Sequence, residues 1–185
     1  MAVFKLFIAQ SLDGYIASSD GSIDWLESWP NPDESDHGYQ EFYDQIGTVL
    51  MGRATYEKVL SFEDIPWHYG DCDCIVFTRQ KDLPIGSPRT ILLDKIDYEV
   101  LKNLRKQSKK DLWIVGGGSL IRQFLELDVI DEMIISTVPL LIGNGIPLFP
   151  KGNYFQGYQT VDIKQFKSGI TNLHLKKIKG LEKRT

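Results

Sequence analysis

Residues Asp111 to Leu125 constrain this chain more than any other stretch. Leu112 to Val115 is an apolar run long enough for a buried strand and too short for a helix, and it stops at Gly116, Gly117 and Gly118. Ser119 is placed to cap the next segment, in which Leu120, Ile121, Phe124 and Leu125 recur at helical spacing. A strand therefore runs through glycines into a helix N-terminus. The first turn of a helix presents unpaired N–H groups and the positive end of its dipole, and glycines let an anion approach the backbone with no Cβ in the way. Two other readings fit the same glycines. One is a tight strand-to-helix connection with no ligand. The other is the dinucleotide fingerprint Gly-x-Gly-x-x-Gly, but Ile121 stands where its third glycine belongs and the motif comes late in the chain.

With 185 residues, no internal repeat and no low-complexity linker, the chain is expected to form one domain over 1–179, with 180–185 as a frayed tail. Apolar residues make up 42% and the net charge is -4, which gives no electrostatic footprint for nucleic acid or an anionic membrane. The expected partner is a small molecule. No apolar run reaches the length of a membrane span and Met1 to Lys5 lacks the features of a signal peptide, so a cytoplasmic protein is expected. Cys72 and Cys74 are the only cysteines, and no disulfide is expected between them. His37, His68 and His174 form no ligand-spaced cluster, so no metal is expected either.

Val3 to Ala9 reads as a central strand buried on both faces, followed by turns at Asp13-Gly14 and Asp20-Gly21. Tyr15 to Ala17 either re-enters the sheet or lines the end of that strand. Ser22 to Glu27 reads as a short helical piece, and Tyr39, Phe42, Tyr43 and Ile46 predict a helix over Ser35 to Ile46, closed by Gly47. Thr48 to Met51 is a strand turning at Gly52 into a helix that reaches Val59. Cys74 to Thr78 and Thr90 to Leu93 are further strands, and Leu101 to Gln107 a helix. After the glycine run and its helix, over 119–127, come a strand from Glu132 to Val138 and an apolar loop to Pro150. A hairpin of Gln159 to Phe166 and Thr171 to Ile178 ends the pattern. Strands separated by helices imply a mostly parallel sheet covered on both faces, with ligands outside its carboxyl edge. That edge collects Ala9, Gly52 with Arg53, Thr78 with Arg79, Gly116 to Ser119 and the loop after Val138.

Five segments in this order and spacing carry a resemblance. They are Ser11 to Ala17, Met51 to Glu57, Val76 to Arg79, Ile114 to Leu125 and Gly143 to Phe149. Together they resemble the dihydrofolate reductase superfamily over nearly the whole chain. Within it the chain is similar to the reductase domain of the bifunctional riboflavin-synthesis deaminase/reductase, the RibD C-terminal domain. The deaminase's zinc signature is absent. The resemblance implies a three-layer αβα fold with a central, mostly parallel mixed sheet and a C-terminal antiparallel hairpin.

It also implies an NADPH site. Arg53 and Arg79 then pair with the 2′-phosphate, as planar forks suited to phosphate oxygens. Gly52 and Thr55 meet the pyrophosphate from one side, and Gly117, Gly118, Ser119 and Leu120 from the other. Thr78 and Gly116 stand at the same strand ends, and the nicotinamide lies along Ala9 with its face near Ile16. The first Gly-Gly bond, between Gly116 and Gly117, is expected to be cis. True dihydrofolate reductases hold their pterin with a buried helical carboxylate, and no acid here clearly matches it. Asp24 and Glu27 are the nearest candidates for a catalytic acid, although a carboxylate in a first helical turn is more often a dipole partner or cap. Trp25, Trp29, Trp67 and Tyr69 are candidates for stacking on a heterocycle or for plain packing.

The expected activity is hydride transfer from NADPH to a small heterocyclic or sugar-derived substrate, similar to 5-amino-6-(5-phosphoribosylamino)uracil reductase. The alternatives are dihydrofolate reductase activity and a non-catalytic NADPH-binding module. Members of this branch are commonly homodimers, and the apolar loop from Leu140 to Phe149 with the terminal hairpin offers surface for one.

Overall fold

The computed structural model of the chain describes residues 1–62 and 67–180. In chain order the first half runs β1 (Phe4–Ser11), β2 (Tyr15–Ala17), α1 (Asp24–Glu27), α2 (Tyr39–Tyr43), β3 (Ile46–Gly52), α3 (Arg53–Leu60), β4 (Asp73–Phe77) and β5 (Thr90–Leu93). The second half runs α4 (Tyr98–Gln107), β6 (Asp111–Gly116), α5 (Gly118–Glu126), β7 (Glu132–Val138), β8 (Ile146–Pro147), β9 (Tyr158–Gln165) and β10 (Thr171–Lys177). Eight strands form one sheet in the order β5-β4-β3-β6-β1-β7-β10-β9, while β2 and β8 make a small antiparallel pair. The pairs from β5 through β7 are parallel, and β10 and β9 close the sheet antiparallel.

Alternation along the strands builds two cores. Phe4, Leu6 and Ile114 face a layer made by Leu101 of α4 and by Leu120, Ile121, Phe124 and Leu125 of α5. The four α5 residues fall on one side because their spacing matches the helical period. Phe124 stands edge-on to both Phe4 and Phe77, with centroids 5.6 and 5.9 Å away. Fully burying one such side chain contributes about 1.5–3 kcal/mol. On the other face Val49, Met51 and Trp113 meet Phe42 of α2 and Tyr56 and Val59 of α3. Trp113 keeps its polar edge satisfied by donating Nε1–H to the Phe7 carbonyl at 3.1 Å. The layers, the mixed sheet and the terminal hairpin are those expected from the sequence.

Three local expectations are corrected. The helix expected over Ser35 to Ile46 is only α2, because Gly38 at φ +83° sets its start and Ile46 is drawn into β3 by pairing with Asp111. Gly47 lies inside that strand, where a Cβ would come within 3.0 Å of the Lys110 Cβ, so it permits a close approach and closes no helix. Ser119 does not cap α5. The cap is Gly117, whose carbonyl accepts from Leu120 and Ile121, and Ser119 is an exposed residue of the first turn. β1 runs on to Ser11, and its second half is only partly covered. The tail beyond Gly180 lies outside the described residues.

Cys72 and Cys74 are buried and unbridged, and both belong to the Trp113 cluster. Burial pushes the Cys74 thiol up to about 12. A raised folded pKa favours the neutral thiol, so its stabilisation is complete below the unfolded value near 9 and is lost as pH rises from there toward about 12. An aromatic disulfide reagent at pH 8 should label neither cysteine in the native chain and both in denaturant. Rapid native labelling of Cys74 would contradict its placement.

Candidate active site

The register brings the sequence candidates together along the carboxyl edge. β3 pairs Gly52 with Phe77 of β4 and Met51 with Gly116 of β6, and β1 pairs Ala9 with Ser136 of β7. Gly52 and Gly116 therefore end two adjoining strands, and Thr78 directly follows the end of β4 on the other side of β3. Gly116 has φ +140°, a conformation that side chains rarely adopt, and the Gly116–Gly117 peptide is cis, as expected. α3 and α5 start from Gly52 and Gly117, and neither has a side-chain cap, which leaves the polarity of first-turn amides for a ligand. Thr55 of α3 belongs to the same place. A Cβ on Gly117 would sit 3.3 Å from the Thr55 Oγ1 and one on Gly116 3.9 Å from it. Leu120 is buried behind the glycines, in the core that holds α5.

The two arginines differ. Arg53 is half exposed and its Nη1 donates to both carboxylate oxygens of Glu57, each at 2.9 Å. Arg79 is exposed and makes no ion pair among the described residues. Thr78 holds the strand end by donating its amide to the Leu93 carbonyl at 2.7 Å, and its hydroxyl accepts from the Gln80 amide at 3.0 Å.

The apolar loop after β7 is fastened over this edge. The Ser11 hydroxyl donates to Asp13 at 2.6 Å, and the Asp13 carboxylate accepts the amides of Gly143 at 2.7 Å and Ile142 at 3.3 Å. These bonds, Ser11 foremost, hold the Asp13 carboxyl below its ordinary range despite some desolvation. On the other side of the turn Leu148 donates to the Gly14 carbonyl at 2.9 Å. β2 and β8 pair next to it, and Gly145 is obligatory there, since a Cβ would lie 2.2 Å from the Ala17 carbonyl oxygen. The loop then reaches the glycine run, with the Pro147 carbonyl 3.0 Å from where a Gly118 Cβ would be. Ile16 belongs to β2 and packs against the α5 core.

The remaining candidates are less gathered. Asp24 and Glu27 are exposed on α1, the Asp24 carbonyl accepting from Ser28. Trp29 is tied to the terminal hairpin by donating Nε1–H to the Ser168 carbonyl at 2.9 Å. Trp67 packs edge-on to Tyr56 and Tyr69 at 6.1 and 5.4 Å, and Tyr69 is buried against Trp113. Trp25 and Trp67 each bury an indole N–H with no partner among the described residues. Sequence reasoning missed Ser136 and Asn172, two buried polar residues on paired strands. The available signal was Ser136 itself, a polar residue at an inward position of an apolar strand.

One sizeable concavity lies away from these donors. It is an open groove of about 530 Å³ at the amino ends of β3, β4 and β6, lined among others by Asp44, Asp73, Arg89 and Lys110. Two of its cations are engaged within the chain, Lys110 with the Asp44 carbonyl at 2.9 Å and Arg89 with Asp73 at 3.7 Å. Convergent unspent donors define the candidate site better than empty volume does. Among the described residues no group of acids, histidines and cysteines is arranged to hold a metal, and no helix is long and apolar enough to cross a membrane.

Comparison with known proteins decides the family. Residues 3–179 match the RibD C-terminal domain. The chain belongs to the RibD C-terminal domain family. Among the relatives of this RibD C-terminal domain is the Bacillus subtilis (strain 168) protein YwjB, 40% identical over 144 residues, a match covering 78% of this chain and 80% of YwjB. A putative riboflavin biosynthesis protein from Shewanella sp. PV-4 superposes with a TM-score of 0.87 at 32% identity, over 97% of this chain and 100% of that one. The Thermotoga maritima diaminohydroxyphosphoribosylaminopyrimidine deaminase/5-amino-6-(5-phosphoribosylamino)uracil reductase shares the fold, with a TM-score of 0.69 at 18% identity. That match covers 96% of this chain and 57% of the bifunctional protein. The RibD C-terminal domain fold is thus the dihydrofolate reductase-like one implied by the sequence.

Proposed function

We propose that this RibD C-terminal domain is an NADPH-dependent reductase of the riboflavin-pathway type, acting on a small heterocyclic or sugar-derived substrate. The observation that carries the reading is the meeting of the glycine run at the α5 start with Thr55 of α3, 3.3 Å from a Gly117 Cβ, at the ends of adjoining strands. Glycines without Cβ atoms, two uncapped helix starts and the Thr55 hydroxyl suit a pyrophosphate. Arg79 and, after release from Glu57, Arg53 suit the extra phosphate that distinguishes NADPH from NADH. The nicotinamide supplies the hydride when bound, and the chain supplies position and exclusion of water, so no strong protein acid is needed at the reacting carbon. Asp13 acts indirectly by fastening the 142–148 segment against Gly118.

Loss of 340 nm absorbance, with a pyrimidine-ribosylamine substrate and dihydrofolate offered in parallel, tests the activity. Consumption with the first supports the riboflavin-type reading, and consumption only with the second favours a folate reductase. Cofactor binding with no turnover of either would leave a binding module. Assembly is a separate expectation. Leu141, Phe149, Val161 and Ile163 are 66%, 43%, 45% and 63% exposed, and β9 is one of the two edge strands of the sheet. Light scattering at micromolar concentration should return twice the 21.1 kDa chain mass, and a monomer mass would contradict the homodimer.

A further inference from the structure

The register across β1, β7 and β10 sets Ala9, Ser136 and Asn172 side by side. Directly paired residues of neighbouring strands share a face, and here it is the face on which Phe7 and Ile134 pack toward the Trp113 cluster. Ser136 is 5% exposed and Asn172 8%, yet the Ser136 Oγ and the Asn172 Oδ1 have no hydrogen-bond partner among the described residues. Burying one such group is costly, and burying two on adjoining strands is the pattern of a site whose partner comes from outside the chain.

The pair is held ready. The Asn172 Nδ2 donates to the His37 carbonyl at 2.7 Å, so one of its two N–H groups is used while the amide oxygen has no partner among the described residues. His37 is itself fixed, with φ +52°, its Nε2 2.9 Å from the Ser168 Oγ and its ring edge-on to Phe166 at 4.8 Å. What stands unpartnered beside Ala9 includes an acceptor on Asn172 and a hydroxyl on Ser136 that both donates and accepts.

We infer that Ser136 and Asn172 are specificity-determining residues that read the lactam edge of a heterocyclic substrate. The Asn172 Oδ1 accepts from a ring N–H, and the Ser136 hydroxyl donates to the neighbouring carbonyl. This rests on the proposed function only in taking the substrate to lie at the carboxyl edge beside Ala9. A site built from such groups rejects an analogue that lacks the matching N–H, because its own polar atoms are then left unpaired.

Ligand-observed NMR with uracil and 1,3-dimethyluracil as probes, on the full chain with and without NADP⁺, tests it. Uracil should bind more tightly than its dimethyl analogue by about tenfold or more. Ser136→Ala should weaken uracil binding severalfold without lowering the melting temperature, since it removes an unpartnered hydroxyl that donates to the carbonyl, and Ser136→Thr should restore it. Equal binding of the two probes, or of neither, overturns the inference. So does Ser136→Ala that melts lower and binds uracil undiminished, the result expected if the hydroxyl holds only a structural water. A separate NADP⁺ titration of the unmodified chain decides the cofactor reading, and its failure leaves the uracil comparison intact.

Discussion

Replacing Arg53 and Arg79 together by alanine is expected to erase the preference for NADPH over NADH while leaving the fold unchanged. Each charge-assisted contact to a phosphate contributes about 1.5–3 kcal/mol, so the pair should lower NADPH affinity on the order of a hundredfold or more. Both side chains are exposed, which keeps the structural cost small. Arg53 must exchange Glu57 for the phosphate, but that ion pair is 49% and 41% exposed, and such surface pairs contribute about 0–1 kcal/mol. The exchange is therefore favourable. Cofactor fluorescence titrations of NADPH and NADH measure it. Equal dissociation constants in the unmodified chain, or an undiminished preference in the double variant, would contradict the assignment.

The second large effect separates two neighbouring glycines. Gly117→Ala places a methyl 3.3 Å from the Thr55 Oγ1, a side-chain atom that can shift, and nothing else within 4 Å is met. The melting temperature should move little. The same methyl fills the space between α5 and Thr55, and NADPH affinity should fall about tenfold or more, which is about 1.4 kcal/mol per factor of ten. Gly118→Ala behaves differently. Its methyl meets the Pro147 carbonyl at 3.0 Å and Pro150 at 3.3 Å, and overpacking against backbone costs about 1–3 kcal/mol of stability. Differential scanning calorimetry alongside cofactor titration distinguishes them. A Gly117→Ala chain that melts much lower yet binds NADPH normally would make the glycine run a turn connector.

The sequence made some of this legible and hid the rest for physical reasons. The strand, glycine run and α5 were readable because apolar spacing changes from a short run to the helical period across three glycines. Thr90 to Leu93 and Glu132 to Val138 were readable as strands because each is bounded by turn chemistry. α2 was misread because Tyr39, Phe42, Tyr43 and Ile46 keep helical spacing while Ile46 answers to a partner 65 residues away, Asp111, which periodicity does not encode. Arg53, Arg79 and the glycines lie at strand ends and are visible as motifs. The roles of Ser136 and Asn172 depend on strand register across β1, β7 and β10, and that register exists only once the sheet has formed. Trp67 shows the same. An aromatic in a loop gives no sign in the sequence of the neighbours it meets in the fold, here Tyr56 and Tyr69.

The most direct test of the cofactor site is an amide chemical-shift map of the isotope-labelled chain titrated with NADP⁺. The largest shifts should fall on Arg53 to Thr55 and on Gly117 to Leu120, the first turns of α3 and α5, with smaller ones at Ala9 and Arg79. Shifts concentrated on Asp71 to Asp73 and Lys109 to Lys110, in the groove at the opposite edge of the sheet, or no shifts at millimolar NADP⁺, would contradict it.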